Sequence, residues 1–143
     1  MKQFYVGLAG ILEKDGKFLV LRRSPDKDFA PNSWEPVTGR LEEAENPEDG
    51  VLREIEEEIG IKTKIVMPMD TSFFYRGSKE FPMVVIAFWC KYIEGEVKLG
   101  WEHTEYKWIT FDEAFDEPTL DHFHQIFKRI LKLKEHLPKD FIL

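Results

Sequence analysis

Residues 39–61 read GRLEEAENPEDGVLREIEEEIGI, and this stretch organises the reading of the whole chain. Asn46-Pro47-Glu48-Asp49 is a helix start: Asn46 can cap, Pro47 suits the first helical position, and Asp49 stands where a capping-box acid reaches back. Val51, Leu52, Ile55 and Ile59 then recur at helical spacing, and Gly60 is placed for the left-handed residue that ends a helix. The pattern predicts a helix over 47–59. On it Glu54, Glu57 and Glu58 are spaced i, i+3, i+4, so one face carries three carboxylates, with the apolar stripe opposite and Glu56 turned away.

Charge is distributed just as unevenly. The chain has 143 residues and a net charge of −7. Residues 39–61 hold nine acids and two bases, which accounts for the whole surplus and leaves the remainder neutral. An acidic protein argues against a nucleic-acid polymer as partner. The block itself has two readings, a solvated acidic face or a site for cations. Like charges on a wet helix cost only about 0.2–0.5 kcal/mol per pair, so energy does not decide between them. Hard divalent cations such as Mg²⁺ take oxygen ligands of this kind.

Outward from this segment, Phe4–Glu13 and Lys17–Arg22 read as strands joined at Lys14-Asp15-Gly16, and Ser24–Ser33 as a loop. Trp34–Leu41 is short and extended. Strands are expected at Lys62–Pro68, Thr71–Arg76, Phe81–Tyr92 (a central one), Glu96–Leu99 and Tyr106–Thr110. A helical turn is expected at Asp112–Phe115 and a C-terminal helix at Thr119–Leu137, stopped by Pro138. This order describes an α/β (α+β) chain with a mixed sheet and helices packed against it, in one domain spanning residues 1–143. At 43% hydrophobic the chain has enough apolar material for a compact core. No apolar run approaches the roughly 18 residues of a membrane span, and no signal-peptide pattern opens the chain. Cys90 is the single cysteine and can form no internal disulfide, which fits a cytoplasmic location.

The wider pattern settles what spacing alone leaves open. Gly39, five residues, Glu45, seven residues, then Arg53-Glu54-Ile55-Glu56-Glu57-Glu58-Ile59-Gly60-Ile61 resembles the Nudix box, with every defining position filled. The resemblance implies an α/β/α sandwich and a Mg²⁺-dependent pyrophosphohydrolase (MutT-like), with Mn²⁺ able to substitute. It implies metal ligation by Glu54, Glu57 and Glu58 and by the Gly39 carbonyl, with Arg53 orienting a glutamate and Glu45 bracing the loop. Three positions depart from common family residues: Thr38 and Ala44 where glycine is common, and Gly50 where alanine is common. Glu102, in the loop before Trp108, matches the family's further glutamate, an additional ligand or the base that deprotonates water. Glu105 matches that position less well. Arg23, at the end of the second strand, corresponds to an arginine that meets substrate phosphate in similar proteins, with a strand-end salt bridge as the other reading.

The implied substrate is a small nucleotide: a nucleoside (or pteridine) triphosphate split to monophosphate and pyrophosphate. The stretches at 34–42 and 102–108 are most similar to the dihydroneopterin triphosphate pyrophosphatase branch. ADP-ribose or dinucleoside polyphosphate hydrolysis is the alternative, and a non-catalytic nucleotide-sensing domain the rival class. The latter typically loses box glutamates, all of which are present. A monomer or homodimer is expected. Phe29, Trp34, Phe73, Phe74, Tyr75 and Trp101 are aromatic candidates for stacking on a base, none favoured individually.

Overall fold

The computed structural model describes residues 3–141. Strand β1 (Tyr5–Lys14) turns into β2 (Lys17–Arg23) through Asp15 and Gly16, whose φ values of 52° and 78° make a two-residue hairpin. Short strands β3 (Trp34–Glu35) and β4 (Val37–Arg40) precede helix α1 (Pro47–Ile59). Long strands β5 (Lys62–Tyr75) and β6 (Pro82–Glu94) follow, then β7 (His103–Ile109), α2 (Phe111–Asp116), a 3₁₀ segment (Pro118–Phe123) and α3 (His124–His136). The sheet runs β3-β2-β1-β6-β5, with β4 also paired to β1 and β7 to β2. Only β1 and β6 pair in parallel, so the sheet is mixed.

Strand alternation divides the core into two layers. Leu8 and Leu12 of β1 point to one face, where Val51, Ile55 and Ile59 of α1 cover them. Ala9 and Ile11 point to the other and meet Ile126, Phe127 and Ile130 of α3. The result is the expected α/β/α sandwich. Helix α1 has the predicted bounds. The Asn46 side chain accepts the Glu48 N–H at 3.1 Å, and Gly60 ends the helix at φ 73°. The reciprocal capping box expected around Asp49 occurs instead on α2, between Thr110 and Glu113.

Four expected elements differ. The strand expected at Tyr106–Thr110 begins at His103, because pairing with β2 extends to Arg22 and Arg23 and takes in Glu105. Lys62–Pro68 and Thr71–Arg76 are one strand, because β5 absorbs Pro68 through register shifts at Ile65/Met67 and Pro68/Asp70 rather than ending there. Glu96–Leu99 is not a strand: the Lys98 N–H bonds the Ile59 carbonyl at 3.0 Å, so the segment serves the end of α1. The C-terminal helix is broken, its first turn being 3₁₀ through Phe123. Among the described residues, no helix is long and apolar enough to cross a membrane.

Candidate active site

Helix α1 presents its acidic side along β4 and the edge of a cleft of about 780 Å³. That volume is of the size that takes nucleotide-like ligands. Gly39, Glu54, Glu58, Glu102 and Arg23 all line it. Arg53 and Glu57 do not.

Arg53 is the hub of a satisfied cluster. Its Nε and Nη2 donate to the two oxygens of Glu45 at 2.6 and 2.9 Å. Its Nη1 reaches Glu54 at 2.9 Å and Glu57 at 3.1 Å, and Nη2 also donates to the Arg40 carbonyl at 3.1 Å. The guanidinium holds the Glu45 carboxyl down at about 2, helped by the Glu42 N–H that Glu45 accepts at 3.0 Å. Arg53 is in turn held more firmly protonated, chiefly by Glu45. Glu57, 62% exposed at its side chain, belongs to this cluster at the rim.

Glu58 is the opposite case. Its Oε2 is buried and has no hydrogen-bond partner among the described residues. Burial pushes its carboxyl up to about 8, with the negative charges of Glu54, Glu102 and Glu35 adding to the effect and Lys27 opposing it. A buried, partnerless carboxylate oxygen facing other carboxylates is poorly satisfied by protein alone. An oxygen-only donor set of this kind suits Mg²⁺. Among the described residues, no three acidic, histidine or cysteine side chains form a ready-made cage. Mg²⁺ does not require one, since it keeps several waters and is usually bound by one or two carboxylates together with substrate phosphates.

Gly39 explains itself sterically: a Cβ there would overlap the Glu54 carboxylate. Thus Glu54 is pinned between Arg53 and the β4 backbone. Two departures from the box pattern also find physical expression. Ala44 has φ 61°, a left-handed conformation that alanine adopts at a cost. At Gly50 a Cβ would stand 2.7 Å from Leu8 Cδ1 and 2.8 Å from Glu45 Oε1, so its absence makes room for the Glu45 brace.

Glu102 is half exposed and lies 3.6 Å from Lys27, and its carbonyl accepts the Ser24 N–H at 2.8 Å. Glu105 turns away from the cleft and pairs with Arg22 at 3.0 Å. Arg23 combines both of its readings. It is buried and forms a forked pair with Glu35 at 3.0 and 3.1 Å, yet its Nη2 has no partner and it lines the cleft. Glu35 also meets His103 Nε2 at 2.9 Å. Of the aromatic candidates, Phe29, Trp34, Phe73 and Phe74 line the cleft, whereas Tyr75 and Trp101 do not. Cys90 is buried, its thiol pushed up to about 12 by burial, and remote from this chemistry.

Sequence reasoning assigned no role to Glu35, Lys27, Arg40, Asp70 or Arg76, all of which line the cleft. Glu35 lies inside the quoted Trp34–Glu42 stretch, next to a strand-breaking proline, and that was its only local signal.

The NUDIX domain model matches residues 1–130. The chain belongs to the Nudix hydrolase family. It is 33% identical over 110 residues to a MutT-like protein of Streptomyces ambofaciens, covering 76% of this chain and 66% of that one. It is 29% identical over 108 residues to the nucleoside triphosphatase NudI of Escherichia coli, covering 69% and 77%. The crystal structure of a MutT protein from Methanosarcina mazei Go1 superposes with a TM-score of 0.81 at 27% identity, covering 94% and 97%. These matches agree with the mixed α/β sandwich and with the box read at 39–61.

Proposed function

We propose that this Nudix domain hydrolyses the pyrophosphate linkage of a nucleoside or pteridine triphosphate, releasing a monophosphate and pyrophosphate with Mg²⁺ as cofactor. The observation that carries the proposal is the buried, partnerless Oε2 of Glu58 beside Glu54 and Glu102 in the cleft. The relationship to a protein named nucleoside triphosphatase supports a triphosphate substrate.

Glu54, Glu57, Glu58, Glu102 and the Gly39 carbonyl are the groups that would hold the cation, with Mn²⁺ able to replace Mg²⁺. When bound, the cation lowers the pKa of an attacking water and neutralises charge on the phosphate oxygens. Glu58 supplies negative charge where the protein offers it no hydrogen bond, so its ionisation follows occupancy of the site. Glu54 is orientated by Arg53 and by contact with Gly39. Glu102 accepts the proton of the attacking water or completes the ligand set. Arg23 turns its unpaired Nη2 to substrate phosphate while Glu35 holds Nη1 and the Phe29 carbonyl holds Nε. Arg53 touches neither water nor phosphate in this account. It is a positioning residue.

The test is a panel of nucleoside triphosphates, a pterin triphosphate, ADP-ribose and a dinucleoside polyphosphate, each with Mg²⁺, scored separately for phosphate and pyrophosphate. Pyrophosphate release from a triphosphate, abolished by EDTA and restored by Mg²⁺ or Mn²⁺, is the expected result. Turnover that persists in EDTA contradicts the proposal.

A further inference from the structure

The cleft has a second end, away from the carboxylates of α1. There Val85 and Ala87 of the sheet and Phe74, Phe123 and Ile126 supply apolar wall, with His122 stacked on Phe74. Two further carboxylates line the cleft, Asp121, which is exposed and lies 3.6 Å from His124, and Asp70, which is mostly enclosed. Asp70 follows the β5 register shift at Pro68/Asp70 and pairs across the sheet with Ala87, whose small side chain leaves space in front of it. Its side chain is only 17% exposed, although it lines the cleft. Arg129 of α3 bonds Asp70 Oδ1 and the Met69 carbonyl, which fixes the carboxylate from behind. Among the described residues, Oδ2 takes no hydrogen bond.

An ionised carboxylate is an acceptor with about four lone-pair positions, of which Arg129 uses one. The free oxygen is open to the cleft, where the donors of a ligand can replace water on it. The common bases differ in what they offer. Adenine and cytosine set an amino group beside a ring acceptor, and uracil flanks its ring N–H with two carbonyls. Guanine and pterin alone present a ring N–H next to an exocyclic amino group, which is two adjacent donors.

We propose that Asp70 reads the 2-amino-4-oxopyrimidine edge of the substrate, the edge that guanine and pterin share. Arg129 acts as its positioning residue. The proposal rests on the reading of this cleft as a triphosphate site and narrows that reading to one class of base. It also gives the β5 bulge a role, since bulges re-aim side chains next to binding sites.

The experiment measures equilibrium binding of α,β-methylene triphosphates of guanosine, inosine, xanthosine and adenosine to the wild-type protein with Mg²⁺. Hydrolysis of GTP, ITP and a pterin triphosphate is followed in parallel. Inosine lacks only the 2-amino group, so the guanosine-to-inosine ratio isolates the contact without any mutation. Guanosine is expected to bind about 10–100-fold more tightly than inosine or adenosine. In Asp70→Asn guanosine should fall to the inosine level and xanthosine should rise, because the amide can donate to a 2-oxo group. Arg129→Gln leaves the carboxylate but not its anchor, and should narrow the guanosine-to-inosine ratio without abolishing it.

Equal wild-type affinities for guanosine and inosine overturn the proposal. So does an Asp70→Asn variant that loses stability with an unchanged ratio, which would make Asp70 a strut for α3. Guanosine-selective binding with no hydrolysis in any arm keeps the role of Asp70 and overturns the hydrolytic reading. Hydrolysis with indifferent binding does the reverse. Whether the GTP or the pterin arm turns over faster decides between the two sources of the shared edge.

Discussion

Two ends of one helix face carry the same residue type in opposite circumstances. Around Arg53, Glu45, Glu54 and Glu57 are all hydrogen-bonded to a single guanidinium, and Glu45 is held ionised far below its ordinary range. One residue beyond Glu57, Glu58 has a buried oxygen with no partner and a carboxyl pushed up to about 8. The protein supplies its own cation to the first group and none to the second. The glutamates of residues 39–61 thus divide into those that brace the loop and helix through Arg53 and those left for a ligand. Glu54 and Glu57 belong to both, since each accepts from Arg53 and each is among the groups proposed to hold the cation.

This contrast is open to separation by mutation. Glu58→Gln keeps side-chain size and removes one charge from the unsatisfied end. We expect a loss of about 10²-fold or more in kcat, with metal-free stability unchanged or raised because burial and repulsion both disfavour the carboxylate. Arg53→Ala should behave differently, leaving Glu45, Glu54 and Glu57 without their partner. A stability loss of about 2–4 kcal/mol is expected together with reduced activity. If thermal denaturation shows Glu58→Gln to be the more destabilised of the two, the division between building and binding carboxylates is wrong.

Gly39→Ala tests the point where the two ends meet. A methyl group there displaces the Glu54 carboxylate, and kcat should fall by about 10–100-fold with the overall fold retained. Near wild-type turnover would show that Glu54 needs no such placement. The approach to Trp108 supplies another contrast, with Glu102 in the turn before β7 and Glu105 on the strand itself. Glu102→Gln should lower kcat by about 10²–10⁴-fold if it is the base, flattening the acidic limb of the rate profile, or raise the Mg²⁺ requirement if it is a ligand. Glu105→Gln breaks only an exposed pair with Arg22 and should cost less than about 1 kcal/mol with activity intact. The reverse ranking would move the catalytic role to Glu105.

Stability against pH should follow Glu58 in the metal-free protein. Its folded-state pKa is raised above that of the unfolded chain, so the unfolded state loses its proton first as pH rises. Stability should therefore fall between about pH 4.5 and 8 and level off above. Glu58→Gln should abolish that slope. Glu45, depressed to about 2, works the other way: its contribution is present above the ordinary glutamate range and lost as pH falls towards 2. A small effect of opposite sign is expected at Ala44, where glycine should relieve the left-handed backbone and stabilise by about 1 kcal/mol in thermal denaturation.

What was legible in the sequence was what is determined locally. Asn46, Pro47, the apolar stripe and Gly60 specify α1 without reference to the rest of the chain, and the box residues inherit their positions from it. The β1–β2 hairpin is likewise written in Asp15-Gly16. The illegible part depends on distant pairing. Nothing near Pro68 announces that β5 continues through it, because the continuity comes from β6, whose backbone accepts the shifted register. Glu96–Leu99 has strand-like residues but bonds the end of α1 instead. Glu35 and Asp70 belong to the cleft only because the sheet brings β3, β1, β6 and β5 into order. The sequence spacing of the three glutamates placed them on one face, but could not show that Arg53 draws Glu57 to the rim and leaves Glu58 alone.

The most direct test of this asymmetry is a calorimetric titration of Mg²⁺ into the nucleotide-free protein at pH 7, run in buffers of differing ionisation enthalpy, for wild type and Glu58→Gln. Metal binding to a carboxyl held near 8 must displace its proton. The wild-type protein should release close to one proton per site on binding, and Glu58→Gln should bind at least about tenfold more weakly with no such release. Equal affinity and equal proton release in the two proteins would contradict the account, and would return Glu58 to the status of a buried acid with no cation to serve.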